Sequence, residues 1–349
     1  MDNKKSGKAL AFLGLIIFLY LFIFSLVLIK HSFSELAKEA LRFTRDNTNP
    51  INSFGFGWLL TLVMQSSGAA TSALVALNAS GIIGASLLIF MVLGTRIGTT
   101  ITALLVALFI HAKKRDFRHG FEIGLANLIY AFPVAIIMFV LEYFFRFFSY
   151  AGNFFISLGI PFRINFVDTI TIPVINLISF LPKSLLVIAG AFLLAISLKS
   201  LPRFIFSLWG GDYLKKKINK YMKNRWRAFL VGFLVTALLL STSITITLLI
   251  PIIVIRIINL KKAIPYIIGA NLGGVMDAVL GGLIVGKTAL PAIFTYVSFS
   301  IIGLLWLFNT DLLFNITKFI SKRTLHVSRK RALVFVMAFV LLALILTFI

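Results

Sequence analysis

Two short polar runs interrupt apolar sequence at a fixed distance from each other. Gln65-Ser66-Ser67 lies in one hydrophobic stretch, and Ser241-Thr242-Ser243 lies in another. From Ser66 to Ser241 the offset is 175 positions, and it holds without a gap on both sides. Gly57 falls on Gly232, Thr61 on Thr236, Gly94 on Gly269, Gly98 on Gly273 and Ala103 on Ala278. The chain therefore reads as two copies of one unit. Each copy sets hydroxyls and a glycine-rich break inside apolar sequence. Repeated units with polar breaks at membrane depth are how many transporters build a substrate site.

The apolar setting is a bilayer. The 349 residues are 60% hydrophobic and 13% charged, whereas soluble domains are about half apolar and about a quarter charged. Runs long enough to span a membrane recur along the chain. The net charge is +23. Its basic residues sit in short connections between apolar runs, which fits the positive-inside rule and leaves no compact basic domain for nucleic acid. There is no cysteine, so disulfides, thiol catalysis and Cys-based metal sites are excluded. His31, His111, His119 and His326 are scattered near the ends of expected spans and form no ligand pattern. A membrane enzyme is also disfavoured. The 11 acidic residues lie mostly in loops and show no paired carboxylates or nucleophile–base set.

The expected fold is an all-α polytopic membrane protein with two inverted repeats. Each repeat holds a re-entrant helical hairpin and a broken transmembrane helix. Residues 1–150 form the first repeat, with a span, a hairpin over about 54–78 and two further spans. Residues 151–227 form a linker span and a basic cytoplasmic connection, and 228–310 form the second repeat core with a hairpin and two spans. A basic loop and a C-terminal span follow over 311–349. The first span, 10–29, is too long for a signal-peptide core and is read as uncleaved. Residues 33–43 read as an interfacial amphipathic helix, and 149–168 as a loop.

Two arguments favour hairpins over full spans. The arm 54–64 covers only roughly 16–17 Å as helix, about half the hydrocarbon core. Charge supplies the second. With the N-terminus in the cytoplasm, seven spans and two hairpins put Lys113–Arg118, Lys199–Arg227, Arg256–Lys262 and Lys318–Arg331 all inside the cell. The hairpins then enter from opposite faces.

Their second arms start near Gly68 and Ser243. Helix N-termini carry free N–H groups and a partial positive charge, so two converging ends suit an oxyanion. Gln65, Ser66, Ser67, Gly68, Ser241, Thr242 and Ser243 are therefore candidate substrate ligands. The breaks at 94–98 and 269–274 are expected to free backbone carbonyls. Thr99, Thr100, Asn271 and Asp277 add oxygens suited to a hard cation. Arg96 supplies a fixed positive charge for the anion. An ion pair between Arg96 and Asp277 is the structural alternative to these two roles.

Gln65-Ser66-Ser67-Gly68-Ala69-Ala70-Thr71-Ser72, followed by Gly94-Thr95-Arg96-Ile97-Gly98-Thr99-Thr100, resembles the type II sodium/phosphate cotransporter family. That family carries a QSSS-type motif and a glycine-bounded G-A/S-N-I-G-T-T motif in each of two inverted repeats. Ser241-Thr242-Ser243 with Gly269-Ala270-Asn271-Leu272-Gly273-Gly274 is similar but weaker. Leu240 stands where a second Gln is expected, and Arg96 replaces the first copy's Asn. The resemblance implies a cell-membrane symporter without cofactor, moving inorganic phosphate or a similar oxyanion with sodium. The alternatives are a transporter of another small anion without sodium, or a non-transporting scaffold of the same fold.

Overall fold

The computed structural model describes residues 10–21, 24–25, 28, 32, 49–64, 66–109, 114–157, 173–209, 222, 224–254, 258–324 and 328–349. These residues form helices and turns, with no strand among them. The helices are α1 (Leu10–Leu21), α2 (Pro50–Met64), α3 (Ser67–Ala79), α4 (Ala85–Gly98), α5 (Ile101–Phe109), α6 (Lys114–Phe145) and α7 (Phe147–Ser157). There follow α8 (Lys183–Trp209), α9 (Arg225–Leu239), α10 (Thr242–Thr247), α11 (Leu249–Val254), α12 (Leu260–Gly273) and α13 (Val275–Val285). Last come α14 (Leu290–Gly303), α15 (Leu305–Phe308), α16 (Thr310–Phe319) and α17 (Arg329–Phe348).

Five segments among the described residues are long and apolar enough to cross a membrane: Ala85–Leu108, Phe117–Phe145, Leu260–Leu283, Lys287–Phe308 and Arg329–Phe348. The chain is thus a multi-pass, all-helical membrane protein. The expected spans 10–29 and 169–198 run partly into residues outside the description, as does the expected interfacial helix 33–43. Large apolar side chains such as Ile137, Leu234, Met337 and Leu341 stand exposed. On a membrane helix that exposure is the lipid-facing surface rather than a defect.

Close glycine contacts organise the core. Gly57 of α2 backs onto the Met91 carbonyl of α4, Gly94 onto the Phe54 carbonyl, and Gly98 onto the Trp58 carbonyl and Thr61. A Cβ at any of the three would overlap those atoms. The contacts recur between α9 and α12. Gly232 backs onto Tyr266, Gly269 onto Phe229, and Gly273 onto Phe233 and Thr236. Each pair in the second set is the first set moved along the chain by the repeat offset. From Gly94 to Gly98 the facing residues advance from Phe54 to Trp58 and Thr61, and from Gly269 to Gly273 they advance from Phe229 to Phe233 and Thr236, so α2 runs alongside α4 in the same direction, and α9 alongside α12. Without a hydrophobic drive between helices in lipid, such backbone approach is what small residues provide.

This packing changes the reading of the glycine motifs. Gly94 and Gly269 lie inside helices and do not break them, whereas Gly98 and Gly273 are the last residues of α4 and α12, so the interruptions fall at the C-terminal ends of the two glycine motifs. They are Thr99-Thr100, between α4 and α5, and Gly274, between α12 and α13. Even there the backbone bonds continue, from Thr99 N to Thr95 O at 3.1 Å and from Gly274 N to Ala270 O at 3.1 Å. The spans are pinched rather than unwound. The expectation that they release several carbonyls is corrected accordingly.

Two stretches read as loops are helical. Residues 147–157, at the start of the expected loop, form α7. Buried Glu142 of α6 accepts the N–H groups of Phe148 at 2.8 Å and Ser149 at 3.2 Å, which satisfies the start of α7. Much of the expected basic loop after residue 310 is α16 followed by a π-helical turn, Ile320–Thr324. It is held to α6 by Glu122, which is buried and accepts from Ser321 Oγ at 2.9 Å and from Lys318 Nζ.

Candidate functional site

Both polar runs lie at a bend between two helices, and both bends are built alike. Ser66 is the N-cap of α3, with φ −151° and its Oγ accepting from Ala69 N at 3.2 Å. Ser241 is the N-cap of α10, with φ −156° and its Oγ accepting from Ile244 N at 3.3 Å. Serine suits this place because its oxygen satisfies a donor that the first helical turn leaves free. One lone pair of each hydroxyl is thereby committed, and each hydroxyl still has a proton to donate. Leu240, before Ser241, adopts the left-handed region at φ 49°. Gln65, the corresponding residue of the first run, lies outside the described residues.

The remaining residues of the runs face the interrupted spans and α14. Ser67 Oγ lies 2.9 Å from Tyr296 Oη, and Gly68 abuts the carboxylate of Asp277. Ser243 Oγ lies 2.9 Å from Thr99 Oγ1, and the Thr242 hydroxyl abuts Gly274. All of these side chains are buried. Thr100 is turned away, donating to its own helix at Ile97 O, 2.7 Å.

Arg96 sits between the two halves. It is 1% exposed, and its Nη2 donates to Asn271 Oδ1 at 3.2 Å. These two residues are counterparts in the 175-residue offset. The guanidinium lies 4.2 Å from the centre of the Tyr296 ring and 4.7 Å from that of Phe299. Its Nε and Nη1 have no hydrogen-bond partner, nor do Oδ1 of Asp277 and Oγ1 of Thr242. Arg96 and Asp277 make no direct ion pair, although the guanidinium's charge acts on the buried carboxylate. A buried guanidinium with free N–H groups is costly unless a partner completes it.

Asn271 is fully engaged. Its Nδ2 donates to Asn127 Oδ1 at 2.8 Å and to Ile267 O at 2.9 Å, and its backbone oxygen accepts from Ser300 Oγ at 3.1 Å. With Oδ1 held by Arg96, its side chain acts as an anchor for that arginine. Asn127, Tyr296 and Ser300 were not singled out in the sequence. Asn127 left a signal, as a lone amide inside the run 121–145. Tyr296 left none, because a tyrosine in an apolar run equally suits a lipid interface. No group of acidic and histidine residues suited to a transition metal occurs among the described residues.

The chain is similar in sequence to known proteins. The profile of the Na+/Pi-cotransporter family matches residues 21–163 and 192–346, most of the chain. The chain is 36% identical over 126 residues to sodium-dependent phosphate transport protein 2A of Oryctolagus cuniculus, covering 34% of this chain and 20% of that one. It is 32% identical over 119 residues to sodium-dependent phosphate transport protein 2B of Homo sapiens, covering 33% of this chain and 17% of that one. The chain thus matches only about a fifth of the length of these mammalian relatives. It is also 25% identical over 276 residues to YqeW of Bacillus subtilis, an uncharacterised protein, covering 79% of this chain and 73% of that one. No solved structure matches.

Proposed function

The chain belongs to the Na+/Pi-cotransporter family, and on that premise we propose that it is a secondary active transporter of inorganic phosphate in the cell membrane. The observation that carries the proposal is Arg96, a buried guanidinium with two free N–H groups beside buried hydroxyls. Phosphate supplies several acceptor oxygens and negative charge to such a set. Arg96 and the hydroxyls of Ser67, Thr242 and Ser243 contact the anion. Ser66, Gly68 and Ser241 shape the two bends and present backbone N–H groups, and Gln65, which precedes Ser66 in sequence, is proposed to join them. Asp277 and Thr99 hold the coupling cation, which the family's character makes sodium.

Two re-entrant hairpins, inverted with respect to each other, form the site. The parallel course of α2 and α4 supports the first hairpin, because α3 must then return the chain to the end where α2 began. The parallel course of α9 and α12 supports the second. Inversion draws support from α6 and α12, whose starts line one cavity at one end of the bundle. The span Ala85–Leu108 ends where α6 begins, so α4 starts at the opposite end from α12. The end that holds the starts of α6 and α12 is cytoplasmic by its lysines and arginines. Alternating access then moves the two halves about a site that neither half completes alone.

A second reading, uptake of phosphate or another small anion without sodium, is favoured by one observation. The Asn271 oxygen expected to meet a cation already meets Arg96. Purified protein in proteoliposomes decides between them. Radiolabelled phosphate uptake is expected, driven by an inward sodium gradient. Uptake that persists unchanged without sodium selects the second reading. Arg96→Gln is expected to lower uptake by about tenfold or more. Wild-type uptake by that variant would remove Arg96 from the site.

A further inference from the structure

A cavity of about 540 Å³ opens at the end of the bundle, lined by His119 of α6, Lys261 and Lys262 of α12, and Lys318 of α16. Ile253 and Phe314 give it an apolar wall. It is distinct from the Arg96 site. Lys261 stands ten positions before Asn271 on α12, about 15 Å along the helix axis. His119 and Lys261 also lie within three residues of the starts of the candidate spans Phe117–Phe145 and Leu260–Leu283. The cavity therefore sits at the boundary between hydrocarbon and water.

Its charge is not balanced from within. Glu122 is shared among Lys318, His119 at 3.2 Å and Arg118 at 3.9 Å. Asp311 pairs with Lys261 at 2.7 Å, but both side chains are more than half exposed, and such a pair holds weakly. Lys262 is exposed, and its ammonium forms no ion pair among the described residues. Among the described residues the lining lysines Lys261, Lys262 and Lys318 thus meet two carboxylates, Asp311 and Glu122, the latter shared with Arg118, which leaves a surplus of positive charge. The volume lies in the range of about 300–1,000 Å³ typical of organic ligands, so a bare oxyanion leaves most of it empty.

We propose that this cavity is a second oxyanion site that receives a phosphate group at the membrane surface. The basic rim takes the phosphate, and the apolar wall takes the body attached to it. An anionic phospholipid meets both demands at that depth, and free phosphate meets the first.

The test uses the full chain, delipidated in detergent, and its Lys261→Gln/Lys262→Gln variant. Both lysines are exposed, so the variant is expected to unfold at the wild-type temperature. Each protein is mixed with phosphatidylglycerol or phosphatidylcholine, and bound lipid is read by native mass spectrometry. Equilibrium binding of radiolabelled inorganic phosphate forms a second arm. Wild type is expected to retain phosphatidylglycerol over phosphatidylcholine, with retention falling about tenfold in the variant. A lysine-dependent phosphate equivalent without lipid selectivity supports the same site, with free phosphate as the source. Equal behaviour of the two proteins in both arms overturns the proposal, whatever the uptake assays show.

Discussion

At the scale of single residues, the site depends on close fits between groups that sequence positions do not bring together. Gly68 touches the Asp277 carboxylate so closely that no side chain fits between them. Gly68→Ala is expected to destabilise the protein by about 1–3 kcal/mol through overpacking. Asp277→Gly in the same chain should return most of that loss, as read by thermal unfolding in detergent. An equal loss in the double variant would show that Gly68 acts through its backbone instead. Tyr296 has two separable contacts, its hydroxyl on Ser67 and its ring beneath Arg96. Tyr296→Phe keeps the ring and should weaken phosphate binding by about 0.5–1.5 kcal/mol. Tyr296→Leu removes both contacts and should cost about 0.5–2 kcal/mol more. Equal affinity of the two variants, measured by equilibrium phosphate binding, would exclude the stacking role. Sequence reading singles out Ser67, Arg96 and Asp277 because polar residues are conspicuous in apolar runs. It could not reach Tyr296, whose partners come from α3 and α4, more than 190 positions away.

At the scale of elements, the repeat offset governs how helices approach. Gly94→Ala and Gly269→Ala each drive a methyl into a carbonyl of the partner helix. Both should lower the unfolding temperature, and by similar amounts. Gly84→Ala, at a position with open space around it, is the control and should leave it unchanged. If only one clasp variant is destabilised, the two clasps do not carry equal load. The bend before α10 holds Leu240 in a left-handed conformation, which costs a leucine about 1–2 kcal/mol. Leu240→Asn should recover part of that cost, seen as a higher unfolding temperature. The glycine motifs are visible in sequence and do mark where the helices are interrupted, but their first glycines serve helix contact and the interruptions release little backbone. A glycine that lets two backbones touch and one that ends a helix look identical until the partner helix is known. α7 and α16 were missed for a related reason. The acids that hold them, Glu142 and Glu122, belong to α6, at the far end of a long-range contact in the case of α16.

At the scale of the whole molecule, the two ends of the bundle must face opposite compartments. The chain has no cysteine, so single replacements report cleanly. Lys262→Cys and Lys322→Cys should react only from the cytoplasm, and Asn49→Cys and Lys287→Cys only from outside, as measured with an impermeant maleimide. Labelling of Asn49→Cys and Lys262→Cys from the same side would sink the inverted arrangement. The meeting of Arg96 with Asn271 has a further consequence. Where a residue touches its own counterpart, the two places are not free to change together. Two amides can hydrogen-bond each other there, and an arginine can donate to an amide. Two arginines cannot share the spot, because their charges repel in a medium that screens little. Such a point of contact can therefore take up one charge but not two. Only one half can carry it, and exchanging the two residues, Arg96→Asn with Asn271→Arg, is the substitution such a molecule should tolerate while Asn271→Arg alone is not.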